Sequence, residues 1–131
     1  MFFTDQSSEQ GGEGAVTLVF TSGASGAVPT TLTRSLGITS VEYAATGQYT
    51  VVFQNPCNAD LFFGGDVQQA SYSASGACAL SRRSTTITNG IATVVFVTVT
   101  AAGAAVAAAS GDIITARFVF AATAEGYGVQ V

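Results

Sequence analysis

Two apolar runs rich in β-branched residues constrain the fold of this chain more than any other feature. The first, residues 91–100, reads IATVVFVTVT, and the second, residues 112–122, reads DIITARFVFAA. Such side chains suit the pleated, packed surface of a sheet. Apolar residues occupy both alternating faces of the first run, whereas Thr115 and Arg117 mark a polar face in the second. We therefore expect the first strand to be buried on both sides, tolerating a charge on neither, and the second on one side.

An Ala/Gly-rich stretch, residues 101–111, joins the two runs, and we interpret them as a central antiparallel pair. Elsewhere, turn-forming residues punctuate the sequence at short intervals. They separate further predicted strands over residues 15–21, 38–44, 48–54, 60–63, 66–74, 77–80 and 85–88. Gly64-Gly65 is predicted to break one strand, residues 81–84 to interrupt another, and Asn89-Gly90 to form a two-residue hairpin turn. Many short strands with this punctuation predict an all-β fold, an antiparallel β-sandwich or jelly roll with extended termini.

This pattern divides the chain into a flexible N-terminal arm (residues 1–14), a β-sandwich domain (15–122) and a C-terminal strand or arm (123–131). The two end segments are polar or glycine-rich, yet they carry large apolar side chains. We expect those side chains to dock on another subunit, where an arm can add a strand to a sheet edge. The candidate subunit contacts are Phe2, Phe3, Tyr127, Val129 and Val131.

The chain carries very little charge. Charged residues make up 9% of the sequence, against about 25% in an average soluble domain. The net charge of −4, with four Arg and neither Lys nor His, argues against nucleic-acid binding, which needs clustered cations. A surface so poor in charge suggests burial in an assembly. A polar surface rich in Ser and Thr is the alternative.

No pattern of catalytic residues stands out. Without His, Ser-His-Asp and Cys-His catalysis are excluded, and we expect neither an enzyme nor a cofactor. Asn55, Asn58 and Asp60 could offer oxygen ligands to Ca²⁺, but these residue types also form turns, which is the interpretation we favour. We therefore predict no metal site.

Aromatic side chains raise a second possibility. Phe62-Phe63 and Tyr72 are the aromatic residues best suited to a glycan site, whereas core packing explains Tyr43 and Tyr49 better. Glycan binding therefore remains open.

Two cysteines, Cys57 and Cys78, lie in separate segments. The first residues show no secretory signal, and no apolar run reaches the ~18 residues of a membrane span. We therefore expect a protein made in the cytoplasm with buried, reduced thiols, although a disulfide between the two remains an alternative.

The segment Thr46–Phe53, TGQYTVVF, together with the later step Gly111–Ile113, resembles a module of tailed-phage virion proteins. This module occurs in small capsid decoration (cement) proteins and in tail-fibre-like proteins, and the resemblance covers residues 38–122. It implies a structural protein at the capsid surface, a homo-oligomer such as a trimer, and the major capsid protein as partner. The alternative is a receptor- or glycan-binding module of a phage tail fibre. The cysteine pair and the Ala-rich stretch depart from the module.

Overall fold

The computed structural model describes residues 13–70 and 76–121, which form seven antiparallel strands in one curled sheet. A single 3₁₀ turn, Ala24–Gly26, is the one helical element in this part of the chain, and no helix there could cross a membrane. The all-β prediction is therefore confirmed. The strands are β1 (Glu13–Thr21), β2 (Ile38–Ala45), β3 (Gln48–Phe53), β4 (Ala59–Gln68), β5 (Ala79–Thr88), β6 (Ile91–Val99) and β7 (Ile113–Ala121).

The strand order in the sheet is β1-β7-β4-β5-β6-β3-β2. The two apolar runs are β6 and β7, and they do not pair, so the predicted central pair is wrong. Both edges of β6 are already occupied, because the Asn89-Gly90 turn places β5 on one side and β3 takes the other. The link between the runs therefore carries the chain to the far half of the sheet, where β7 lies between β1 and β4.

The sheet has two well-paired halves with a weak seam between them. Strands β1-β7-β4 form one half and β5-β6-β3-β2 the other, and the ladder between β4 and β5 has one pair, Asp66 with Ala79. The sheet curls so that aromatic rings of the two halves meet in the core. The Phe96 and Phe118 centroids are 6.2 Å apart, and Phe53 meets Phe118 edge to face at 4.8 Å. Ring packing thus joins the halves where the backbone ladder does little.

The two apolar runs differ in burial much as their patterns predict. Arg117 is exposed on β7, and the opposite face, Ile114, Ala116, Phe118 and Phe120, is buried. On β6 the inner face is fully buried, and it consists of Ala92, Val94, Phe96 and Thr98. The outer face of β6 is buried at Val97 and Val99, but Val95 is only half-buried. Burial on both sides therefore holds for the second half of β6 alone.

The glycine pair Gly64-Gly65 does not break β4, contrary to the sequence prediction. A Cβ on Gly65 would lie 2.0 Å from the carbonyl oxygen of Thr115, and one on Gly64 would lie 2.8 Å from the Phe62 ring. The glycines therefore permit close approach of β4 to β7 and of a ring to the backbone.

Strand β5 is also continuous, where the sequence predicted two pieces. It contains a register shift between Arg82 and Ser84, which absorbs the polar residues as a bulge. The Asn89-Gly90 turn is confirmed. Both residues have positive φ, 53° and 82°, as a two-residue hairpin turn requires.

The inner face of β6 gives a direct test of this arrangement. Val94→Asp is expected to prevent folding, since an unpaired buried carboxylate costs several kcal/mol against a total stability of about 5–15 kcal/mol. Thr86→Asp, at an exposed position of β5, is the matched control and should fold normally. Circular dichroism and thermal melting would report both, and a Val94→Asp protein with wild-type melting would contradict the assigned core face.

Candidate functional site

The two ends of the curled sheet are built differently. We call one the locked end: it comprises the loops at 22–26, 46–47, 69–70 and 100–112. The other is the open end, comprising residues 14–16, 36–37, 53–57 and Phe120. The difference decides which end is available for binding.

A buried carboxylate ties three loops together at the locked end. Asp112 has no exposed surface, and its two carboxylate oxygens accept hydrogen bonds from the backbone N–H groups of Ala70 and Ala109, each at 2.9 Å. The backbone N–H of Ser22 also donates to the Asp112 carbonyl at 2.8 Å. The step Gly111–Ile113, which contributed to the phage resemblance, thus has a structural task here.

The other resembling segment, Thr46–Phe53, lies at the same end. The Tyr49 hydroxyl donates a buried hydrogen bond of 2.6 Å to the Gly26 carbonyl, which fixes the 3₁₀ turn against the sheet. Gly47 has a φ of +68°, and a Cβ there would lie 2.5 Å from the Val106 carbonyl oxygen. In the structure, the residues of this motif therefore position loops on the sheet.

The open end contains an apolar cavity of about 250 Å³. Leu36 lines it and is 87% exposed. The remaining lining residues are Gly14, Ala15, Val16, Gly37, Phe53, Asn55, Pro56, Cys57 and Phe120. Sequence reasoning missed this site because residues 30–36 lie between the predicted strands and show no clear alternation. In the structure that segment forms a single bridge to β1, between Arg34 and Val19. The signal available in the sequence was Leu36, a large apolar residue in a link rich in turn-forming residues.

Both cysteines are free thiols, as expected, but their environments differ. Cys57 is buried in the cavity wall, and burial followed by the negative Asp60 raises the pKa of its thiol. Less thiolate means a less reactive sulfur. Cys78 is exposed, so the expectation of a buried thiol is wrong there, because this residue, just before β5, alternates with the buried Ala77 and lies on the opposite side.

The polar loop considered for Ca²⁺ is occupied by other contacts. The Asp60 carboxylate pairs with the Arg82 guanidinium and accepts the Thr85 hydroxyl hydrogen, both across the seam on β5. Asn55 lines the cavity, and the Asn58 N–H donates to a backbone carbonyl. Within residues 13–70 and 76–121, no three Cys, Asp or Glu side chains gather as metal ligands would.

The candidate aromatic residues separate into core and surface. Phe63 packs on the rings of Phe96 and Phe118, at 5.4 and 5.2 Å. Phe62 is 48% exposed, and its neighbour Leu61 lies at a register shift in β4 and is also exposed. Tyr72 lies outside the described residues.

The five candidate subunit contacts also lie outside the described residues: Phe2, Phe3, Tyr127, Val129 and Val131. The positions at which the two end segments join the sheet are nevertheless known. Glu13 begins β1 and Ala121 ends β7, and these two residues pair directly. Both end segments therefore join the sheet at the open end, beside the cavity.

Neither a protein-family model, nor a curated protein, nor a solved structure matches this chain.

The role assigned to Asp112 can be measured as stability. Asp112→Ala leaves two part-buried N–H groups without their acceptor, which we expect to cost at most about 2–6 kcal/mol, at roughly 1–3 kcal/mol for each unsatisfied group. Asp112→Asn keeps one oxygen acceptor and should lose less. The exposed Asp66→Ala is the control. The measurement is urea unfolding. If Asp112→Ala and Asp112→Asn are both as stable as wild type, Asp112 does not hold the loops of the locked end together.

The buried Tyr49 hydroxyl makes stability depend on alkaline pH. Burial, then the neighbouring Tyr43 and Asp112, raises the pKa of Tyr49 above its ordinary value of 10.0. The unfolded chain therefore releases this proton at lower pH than the folded one, so the contribution is complete below pH 10 and declines above it. We expect the free energy of unfolding to fall less steeply above pH 10 in Tyr49→Phe than in wild type. If the free energy of unfolding falls equally steeply with pH in both proteins above pH 10, the prediction is wrong.

Proposed function

We propose that this chain is a structural virion protein, a capsid decoration (cement) protein that binds the major capsid protein at the outer surface of the shell as a homotrimer. The observation that carries the proposal is that exposed apolar surface is concentrated at the open end. The cavity, the exposed Leu36 and the attachment points of both end segments all lie there.

Low charge suits such a role. No charged side chain in the described part of the chain lines the cavity, and Leu36 at its edge would lose a large water-exposed area on docking. Interface cores are depleted in charge and apolar in the same way. The locked end, in contrast, has its loops tied down by Asp112 and Tyr49, and so supplies a rigid base behind the open end.

A free sheet edge adds a second means of association. Within the described residues β2 pairs with β3 alone, and its other edge has no strand beside it. An exposed strand edge offers unpaired backbone N–H and C=O groups to another chain. Strand addition gives affinity through these groups without needing charge, which fits the composition.

The proposal extends to the finer architecture, a two-layer sandwich of the jelly-roll kind. Its support is the contact of aromatic rings between the halves, such as Phe20 with Tyr49 at 5.4 Å. The single ladder pair at the seam is also what one expects where a sheet turns into a second layer.

A second function, the receptor- or glycan-binding module of a tail fibre, has one observation in its favour. The half-exposed Phe62 ring lies over Gly64 on the outer face, and the exposed Arg117 is paired with Gly64 in the ladder. An aromatic surface beside a polar group is a common way to bind a sugar. This site is on the outer face, so the two functions use different surfaces.

The two surfaces can be tested by co-sedimentation with capsid shells stripped of accessory proteins, prepared from the virus that carries this gene. Wild type should bind saturably, and Leu36→Glu should weaken binding at least about tenfold, because the charge must be desolvated at the interface. Thr31→Glu adds the same charge at an exposed site five residues earlier in the chain and should bind normally. Phe62→Ala should also bind normally. Equal binding by Leu36→Glu and wild type, or loss in Phe62→Ala alone, would contradict the proposal.

A further inference from the structure

We infer that the open-end cavity is an acceptor site for the aromatic pair Phe2-Phe3 of a neighbouring copy of this chain. The inference rests on the homo-oligomer part of the proposed function, and it names the surface and the segment through which copies join.

The chemistry of the cavity selects an apolar, aromatic occupant. Its walls include Phe53 and Phe120, whose ring centroids are 4.8 Å apart at an interplanar angle of 68°. A further ring can pack against such a pair in the edge-to-face geometry that aromatic rings prefer. Among the described residues no charged side chain lines the site, so a charged occupant would be buried there without a partner from these residues.

The cavity is also of suitable size. An apolar cavity of about 150 Å³ accepts benzene, and this one measures about 250 Å³. It can therefore take a phenyl side chain together with its stem.

The N-terminal segment supplies such a group and little else that is apolar. Among residues 1–14 the large apolar side chains are Met1, Phe2 and Phe3, all at the tip, while the rest is polar, acidic or Gly. Ten residues separate Phe3 from Gly14, which itself lines the cavity. That length spans at most about 33–36 Å when extended, at roughly 3.3–3.6 Å per residue. The pair can therefore reach the open end of an adjacent subunit.

Position favours a neighbour over the same chain. Because the segment starts at the wall of its own cavity at Gly14, it can enter that cavity only by folding back, whereas in an extended form it reaches the cavity of an adjacent copy. Because both end segments attach at this end, copies that meet there place each segment beside a neighbour's cavity. The exposed Leu36 would be covered in the same contact. In the proposed homotrimer the exchange is cyclic: each copy's segment enters the cavity of the next copy around the symmetry axis.

Cys57 provides a reporter inside the cavity. It is a buried lining residue, whereas Cys78 is exposed, so in a Cys78→Ser background the only remaining thiol monitors the site. The rate of its reaction with a disulfide reagent is measured against protein concentration at one fixed pH. Docking should slow the reaction about tenfold when protein exceeds its dissociation constant by roughly ten. Phe2→Ser/Phe3→Ser should abolish this protection, and Gln6→Ala/Gln10→Ala, a matched double change, should keep it.

Mixing decides whether docking occurs between copies. The acceptor carries Cys78→Ser with Phe2→Ser/Phe3→Ser, and the donor carries Cys57→Ser/Cys78→Ser with both phenylalanines intact. Slower labelling of the acceptor on adding donor supports the inference. Protection that is independent of dilution, and absent in the mixture, means docking within one chain and overturns it. Equal rates in all variants overturn it too.

The same proteins separate this inference from the proposed function. If the Phe variant loses protection in solution yet no protein binds stripped shells, the virion proposal fails and the acceptor site stands. If shells are bound but labelling never responds to the phenylalanines, the acceptor site fails alone.

Discussion

The structure depends on the packing of aromatic rings between the two halves of the curled sheet. Backbone hydrogen bonds hold β1-β7-β4 together and, separately, β5-β6-β3-β2, but a single ladder pair joins the halves. Phe96 and Phe118, from opposite halves, share the core with Phe53 and Phe63. Removing these rings from water supplies the driving force that the interrupted ladder cannot. Nearer the open end, the side chains of Asp60 and Arg82 form an ion pair that links β4 to β5 across the seam.

The two ends of the sheet show how a chain with few charges distributes its polar groups. At the locked end, the Asp112 carboxylate and the Tyr49 hydroxyl satisfy backbone groups in loops that cross from one half to the other. Polar groups buried in this way fix a loop's position, because any other position leaves them unpaired. At the open end the described lining is mostly apolar, and Leu36 there is largely exposed. The buried polar network therefore lies at one end of the sheet, and the apolar cavity with the exposed Leu36 lies at the other.

Much of the fold could be predicted from the sequence because local signals were strong. Alternation identified the buried face of β7, and Asn89-Gly90 identified the hairpin, since both depend on residues close in the chain. Strand order could not be predicted, because β6 and β7 are equally apolar and only competition for neighbours decides which strands pair. Gly64-Gly65 misled for a related reason: a glycine that breaks a strand and one that lets strands approach closely look alike without the partner, here Thr115. The cavity was missed since it is assembled from four distant segments.

The direct pairing of Glu13 with Ala121 has a mechanical consequence. A force that pulls these two residues apart would load the β1–β7 ladder at its end, so hydrogen bonds would break one pair at a time instead of sharing the load in shear. A chain attached through its two ends would therefore open like a zipper under modest tension. A force applied through the faces of the sheet, or through the free edge of β2, would instead be resisted by many contacts at once.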